Sequence, residues 1–99
     1  MEVIIKKPGS PAYLEDIPNT LEELQRIVGG YIETVTLATD AVIICNEEGR
    51  LRDLPYNCEL FGVPFVGTII IAGVSADEFT DVPAKELFLS MKAFEKVET

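Results

Sequence analysis

The chain has 99 residues, 47% of them hydrophobic and 25% charged, which is typical of a single compact globular domain over residues 1–99. Seventeen acidic residues against eight basic ones give a net charge of −9, which repels phosphate backbones and anionic membrane surfaces, so we predict neither a nucleic-acid nor a membrane partner. The chain contains no histidine, which excludes Ser–His and Cys–His nucleophile pairs and most zinc sites.

The first third of the chain predicts two strands and a helix. Residues 2–6 and 12–17 are short segments separated by a Pro-Gly-Ser-Pro breaker, and we expect them to pair as a hairpin. Thr20 and Glu23 have the spacing of a capping box, in which each side chain bonds the other residue's free amide. An apolar stripe follows at helical spacing, and Gly29 with Gly30 is expected to end the helix.

The middle of the chain predicts strands joined by turns. Residues 31–37 are rich in β-branched side chains, and residues 40–46 contain an apolar run suited to a central strand covered on both faces. Asn46 to Gly49 has the composition of a tight turn. Residues 50–54 are predicted to return as a short strand, and residues 54–57 to form a second turn around a proline.

The last third predicts one strand and one helix. Residues 65–74 have the strongest strand pattern of the chain, and residues 75–80 are predicted to form a loop. A helix is expected over residues 81–97, capped by Thr80 or Asp81. Without the short 50–54 segment the order is β-β-α-β-β-β-α. We therefore predict an α+β fold with an antiparallel or mixed sheet of about five strands and two helices.

The chain start and the cysteines favour a cytoplasmic protein. Glu2 stands where a secretory signal would be basic, and the longest apolar run, residues 65–74, is about half of a membrane span. Two cysteines fit a reducing compartment. Cys45 ends an apolar run and is expected to be buried, whereas Cys58 follows a turn and is expected to be more exposed.

Few residues are suited to catalysis. The adjacent acids Glu47 and Glu48 are candidates for acid–base work, and Cys58 is a candidate nucleophile, but neighbouring acids in a tight turn are usually solvated. No glycine-rich loop opens a helix as phosphate binding requires, and two cysteines alone do not make a metal site. We therefore expect no enzyme activity, no metal and no cofactor.

Side chains around the predicted turns suggest a binding surface. Tyrosine offers an apolar face with a polar tip, and arginine is a bidentate donor for an anion. The simpler alternative is that these are ordinary surface residues of strands and turns. The candidate binding residues are Tyr31, Glu33, Asn46, Glu47, Arg50, Arg52, Tyr56 and Asn57.

Three motifs in order carry a family resemblance: VGGYIE at 28–33, CNEEGRL at 45–51 followed by LPYN at 54–57, and GTIIIAG at 67–73. Over about residues 20–75 the chain resembles a family of small bacterial and phage proteins catalogued as a domain of unknown function. Its members are similar to proteins carried by phages and conjugative elements, which implies an accessory role in a bacterial cytosol. The resemblance implies no activity, cofactor or catalytic residue.

Two functional hypotheses follow. The first is a non-enzymatic interaction module that acts on a protein partner, and a strong strand at a sheet edge would also favour self-association. The alternative is a small-molecule or nucleotide binder, using Arg50, Arg52, Tyr56 and Asn57 or a homo-oligomer interface.

Overall fold

The computed structural model describes residues 1–91 and residue 94. Within these residues the elements, in chain order, are β1 (Glu2–Lys6), β2 (Tyr13–Asp16), α1 (Leu21–Val28), β3 (Ile32–Ala38), β4 (Ala41–Asn46), β5 (Tyr56–Leu60), β6 (Val63–Val66), β7 (Ile69–Ser75), β8 (Glu78–Thr80) and α2 (Lys85–Leu89). The predicted α+β class is confirmed, with eight strands in the described residues rather than about five.

The main sheet has six antiparallel strands. Five follow the order β2-β1-β7-β4-β3, and β8 pairs with the last residues of β7. The central pairings join distant parts of the chain, since Ile4 of β1 lies opposite Ile71 of β7, and Ile43 of β4 lies opposite Ile71 on the other side. The hairpin β5–β6 forms a separate two-stranded sheet.

Both faces of the main sheet are covered. Leu24 and Val28 of α1 belong to one buried cluster with Val42 and Ile44 of β4. Side chains of the β5–β6 hairpin, Phe88 of α2 and Phe94 form the other cluster, on the opposite face. All six residues of β4 are buried, so the prediction of a central strand covered on both faces is confirmed.

The ends of α1 follow the predicted signals. The Thr20 hydroxyl accepts a hydrogen bond from the Glu23 amide at 3.2 Å. Among the described residues the reciprocal half of the capping box is not made, because the Glu23 carboxylate instead bonds the Arg26 guanidinium. Gly29 ends the helix with φ of 83°, and its amide donates to the Gln25 carbonyl.

The prediction of a strand over residues 50–54 is wrong. Residues 50–53 form successive turns, in which Asp53 has φ of 56° and the Leu54 amide bonds back to the Gly49 carbonyl. The strand lies further along as β5, so Cys58 is inside a strand and only 4% exposed, contrary to the expected exposed position.

The predicted strand over residues 65–74 is two strands. Gly67 has φ of 72° and its amide donates to the Pro55 carbonyl, so the chain leaves the β5–β6 hairpin here before entering β7. Residues 75–80 are not a loop, because β7 turns directly into β8. Ala76 and Asp77 both have positive φ, as the tight turns that match strand twist require.

The last helix starts later than predicted. Asp81 does not cap it, because its carboxylate accepts a hydrogen bond from the Glu2 amide at 2.8 Å, and Val82 donates to the Glu2 carbonyl. Residues 81–82 therefore lie beside the start of β1, and α2 begins at Lys85, after Ala84. The predicted helical residues 92, 93 and 95–97 lie outside the described residues. Over the part of the chain that the structure describes, no helix is long and apolar enough to cross a membrane.

Candidate functional site

The loop after β4, residues 46–53, lies between two surface grooves. We call the first the hairpin groove, because it lies between β3, β4, this loop and the β5–β6 hairpin, with a volume of about 330 Å³. The second, of about 440 Å³, is called the helix groove because it includes Gln25 near the end of α1. The loop contributes side chains to both.

The hairpin groove combines acidic and apolar walls. Glu33 and Glu47 line it, and both are exposed. Leu51 and Val63 also line it, and they are 87% and 42% exposed. Val35 from β3 is half-buried. The groove therefore offers apolar surface next to two carboxylates.

Asn46 supports the loop between the grooves. Its side-chain amide donates to the Val28 carbonyl at 3.1 Å, and its side-chain oxygen accepts from the Glu48 amide at 2.8 Å. Asn46 is 7% exposed, so these bonds are largely protected from water. The residue joins the C-terminus of α1 to the turn after β4. It lines the hairpin groove, but its side-chain amide and oxygen are already bonded within the protein.

The two arginines do not form one anion site. Arg50 lines the hairpin groove and donates to the Pro64 carbonyl at 3.1 Å. Arg52 lines the helix groove and donates to the Gly29 carbonyl at 3.0 Å, where a cation is favourable to the negative end of the α1 dipole. Each guanidinium thus ties the loop to a neighbouring segment, and the two lie in different grooves.

The helix groove brings together Tyr31, Arg52 and Glu48 with Gln25 and Gly30. Tyr31 is 66% exposed, so its ring is available for contact. The Glu48 carboxylate and the α1 C-terminus both oppose an anion here, because each contributes negative potential. The groove is therefore better suited to a neutral, hydrogen-bonding group than to a phosphate.

Tyr56 and Asn57 line neither groove. Tyr56 is exposed at the start of β5, opposite Val66. Asn57 is 1% exposed, and its amide donates to the carbonyls of Lys6 at 2.8 Å and Gly67 at 2.7 Å. The eight candidate residues therefore do not form one shallow surface.

The residues considered for catalysis are separated or protected. Glu47 lines the hairpin groove and Glu48 the helix groove, and both are exposed. Burial raises the pKa of the Cys58 thiol, although the nearby Lys6 charge lowers it. Burial, with a smaller effect of Glu33, raises the pKa of Cys45 to about 11. Across residues 1–91 and 94, no three His, Cys, Asp or Glu side chains are close enough to hold a metal ion.

Sequence reasoning missed the outer edge of β3. Among the described residues β3 pairs with β4 alone. The Tyr31 carbonyl accepts the Glu47 amide, and because bonded pairs alternate along an antiparallel ladder, Val35 also directs its amide and carbonyl toward β4. The amides and carbonyls of Thr34 and Thr36 therefore point outward. The β-branched pattern predicted a strand, but nothing local indicated that it is the last strand of the sheet.

Comparison with curated proteins and with solved structures found no match. A family model described as "Domain of unknown function (DUF3846)" matches residues 1–96, a longer stretch than the resemblance seen in the three motifs. The chain therefore belongs to the DUF3846 family of domains of unknown function.

Proposed function

We propose that the chain is a non-enzymatic interaction module of the bacterial cytosol, an accessory protein of a phage or conjugative element, that binds a protein partner along the outer edge of β3. The observation that carries the proposal is the length and openness of this edge. An unpaired strand edge is a template for another chain, since main-chain bonds provide affinity and neighbouring pockets provide specificity.

The two edges of the main sheet differ in how they resist pairing. β2 has four residues, two of them the acids Glu15 and Asp16, and prolines lie near both ends at Pro11 and Pro18. β3 has seven residues, contains no proline or lysine, and carries one charge, Glu33. Short length, charge, proline and β-bulges protect sheet edges. β3 has one charge and one register shift, between Thr36 and Ala38, so the part of the strand before the shift has little of this protection.

The hairpin groove gives this edge a side-chain pocket. Val35 lines the groove from β3 itself, and Leu51 and Val63 line it from the loop and the hairpin. A strand added beyond β3 would continue the pleat, so every second side chain would extend over this face of the sheet. Backbone bonds and apolar contacts would then be made together.

Composition supports the non-enzymatic part of the proposal. The chain has no histidine for acid–base work near neutral pH. The pKa of each buried thiol is raised by burial, which keeps the nucleophilic thiolate form rare.

The test is a comparative pull-down from the native bacterial cytosol with mass spectrometry. Thr34→Pro removes an outward amide without breaking the β3–β4 ladder, whereas Thr34→Ala keeps that amide. We expect a stoichiometric protein partner with the wild type and Thr34→Ala, and its loss with Thr34→Pro. Equal retention by all three proteins, or no retained protein, would contradict binding along β3.

A second candidate function is small-molecule binding in the helix groove. The favouring observation is the exposed Tyr31 ring beside the Arg52 guanidinium in one groove. The test is a thermal-shift screen that compares the wild type with Tyr31→Ala, and we expect uncharged nucleosides to bind better than the corresponding nucleotides, because the groove disfavours a phosphate. A ligand that raises Tm in the wild type alone would support this function, and no shift with any compound would reject it.

A further inference from the structure

We infer that the partner segment on β3 is an extended strand that carries lysine or arginine alternating with apolar side chains on the side facing the hairpin groove. This inference rests on the proposed function, because it names the chemistry of the occupant of the same edge.

The pleat determines which partner side chains meet the groove. Glu33 and Val35 lie two residues apart in β3, and both line the hairpin groove. Side chains at positions i and i+2 of a strand share one face, and directly opposite side chains on neighbouring strands contact each other. Two alternate side chains of an added strand would therefore lie beside Glu33 and Val35, above the groove.

The charges of the groove favour a cation. Glu33 and Glu47 are exposed and line the groove, and neither carboxylate forms a salt bridge within the described residues. Arg50 is the one cation among the described lining residues, and it donates to the Pro64 carbonyl. Opposite charges on directly opposite strand positions are stabilising and like charges are destabilising. A basic side chain next to Glu33 is therefore favoured.

The walls of the groove favour an apolar neighbour. Leu51 is 87% exposed and Val63 is 42% exposed, and Val35 and Pro64 extend the same surface. An apolar partner side chain beside Val35 would cover this surface and remove it from water. An all-basic segment would leave it exposed, so alternation of charge and apolar character fits better than charge alone.

A second copy of the chain fits this edge less well. The only charged residue of β3 is Glu33, and the whole chain carries a net charge of −9. Pairing β3 with its own copy would bring two such chains together without supplying a cation to Glu33 or Glu47. At low salt, repulsion between like-charged proteins opposes this association. A basic segment would instead be attracted to the acidic chain.

The experiment is a selection from a displayed random peptide library, with peptides longer than the seven residues of β3, on the folded full chain at low salt. We expect enriched peptides to carry Lys or Arg two positions from an apolar residue, so that both side chains lie on the face toward the groove. The leading peptide is then synthesised and its Kd is measured by fluorescence anisotropy. Loss of binding is expected with Thr34→Pro, and an unchanged Kd with Thr34→Ala.

A matched pair of charge reversals tests the role of the groove. Glu33→Lys with Glu47→Lys should weaken binding by about three- to tenfold, since exposed ion pairs contribute modestly. Glu15→Lys with Glu59→Lys changes the net charge equally at exposed strand positions that do not line the groove, and should change the Kd far less. Equal weakening by both pairs would show that the peptide responds to the net charge of the protein and not to the groove, and it would overturn the inference.

The remaining outcomes separate this inference from the proposed function. A consensus without basic residues that still requires the Thr34 amide would overturn the inference and leave the function. Wild-type dimers at low salt that Thr34→Pro abolishes would assign the edge to a second copy and overturn the inference. No enrichment, or binding insensitive to Thr34→Pro, would overturn the function itself. If Thr34→Pro fails to fold, N-methylation of the peptide amides provides the same test on the unaltered protein.

Discussion

At the scale of single residues, Asn57 of β5 connects the hairpin to the main sheet, because its side-chain amide bonds the carbonyls of Lys6 and Gly67. A turn-like sequence around Pro55 suggested a surface side chain. Burial of the residue depends on the hairpin folding over β1 and β7, which are distant in sequence. The residue type and the neighbouring turn therefore did not predict that this side chain is buried.

We predict that Asn57→Ala lowers the free energy of unfolding by about 2–3 kcal/mol, because two buried carbonyls lose their donor. Urea denaturation is the measurement. Asn19→Ala is the control, since the exposed Asn19 amide donates one bond to the Phe79 carbonyl and its loss should cost about 0.5 kcal/mol. Similar small losses in both variants would contradict a cross-linking role for Asn57.

Cys45 makes the stability depend on pH in the alkaline range. The unfolded thiol ionises at its ordinary pKa of 9.0, whereas burial keeps the folded thiol protonated up to about 11. Between these values the unfolded state binds fewer protons, so the free energy of unfolding should fall as pH rises, by on the order of 2 kcal/mol. Denaturation curves at pH 8 to about 11 measure the fall.

The control for this pH dependence is Cys45→Ala. We expect its free energy of unfolding to be lower at pH 8 but to fall less steeply above pH 9. The pKa of Lys6 is lowered by burial, which acts in the opposite direction in this range. Lys6 is present in both proteins, so the comparison isolates Cys45. Parallel pH profiles would show that Cys45 does not titrate as argued.

At the scale of elements, local signals predicted α1 at both ends. The Thr20 cap and the Gly29 terminator act within one helical turn of the residues they stabilise. The last helix was predicted less well, because the Asp81 carboxylate that seemed to cap it bonds Glu2 at the other end of the chain. A capping residue can be predicted from local sequence only when no distant backbone amide donates a hydrogen bond to its side chain instead.

Gly73 allows β7 to lie close to the segment after β8. A Cβ at this position would lie 2.2 Å from the Asp81 carbonyl oxygen and 2.6 Å from the Thr80 hydroxyl. We predict that Gly73→Ala lowers the free energy of unfolding by about 3 kcal/mol, since backbone must move. Gly9→Ala is the control, because nothing lies within 4 Å of its Cβ and its φ of 76° costs about 1–2 kcal/mol. Equal losses in urea denaturation would contradict the close contact.

The alternating hydrogen bonds of β3 give a second test at this scale. Thr34→Pro should lower the free energy of unfolding by no more than about 1 kcal/mol, because its amide points away from β4. Val35→Pro should cost about 3 kcal/mol or more, because its amide bonds β4. Circular dichroism and urea denaturation of both variants measure the difference. The opposite order would mean that the amides of Val35, and not those of Thr34, face outward.

At the scale of the whole molecule, the acidic residues outnumber the basic residues that could balance their charge. The net charge is −9, and the described residues contain three salt bridges, which join Met1 to Asp16, Arg26 to Glu23 and Lys85 to Glu2. Such exposed pairs contribute little individually. The acids therefore repel one another in the folded state, and this repulsion is the property that also favours a basic partner.

We predict that the free energy of unfolding rises between low salt and about 0.3 M NaCl, because screening weakens this repulsion. The control reverses three exposed acids on strands, Glu15→Lys, Glu59→Lys and Glu78→Lys, and should respond less to salt. Peptide affinity at β3 should change in the opposite direction and fall with salt. A salt response identical in both proteins would indicate an effect unrelated to charge.

Composition and local patterns predicted the fold class, the family, α1 with both its ends, and the doubly covered strand β4. These properties depend on composition or on residues within a few positions of one another. Of the eight candidate binding residues, six line the two grooves beside the 46–53 loop, whereas Tyr56 and Asn57 line neither.

Contacts between distant parts of the chain, in contrast, determine which strand lies at the edge of the sheet and which polar residues are buried. The outer edge of β3 exists because β4 pairs with β7, and β7 with β1, across the length of the chain. The same folding buries Asn57 and Cys58 of β5 against the main sheet, whereas Arg50 and Arg52 of the loop line different grooves. A strand pattern has period two whether or not a neighbour follows it, so nothing within β3 indicated that, among the described residues, no further strand pairs with it.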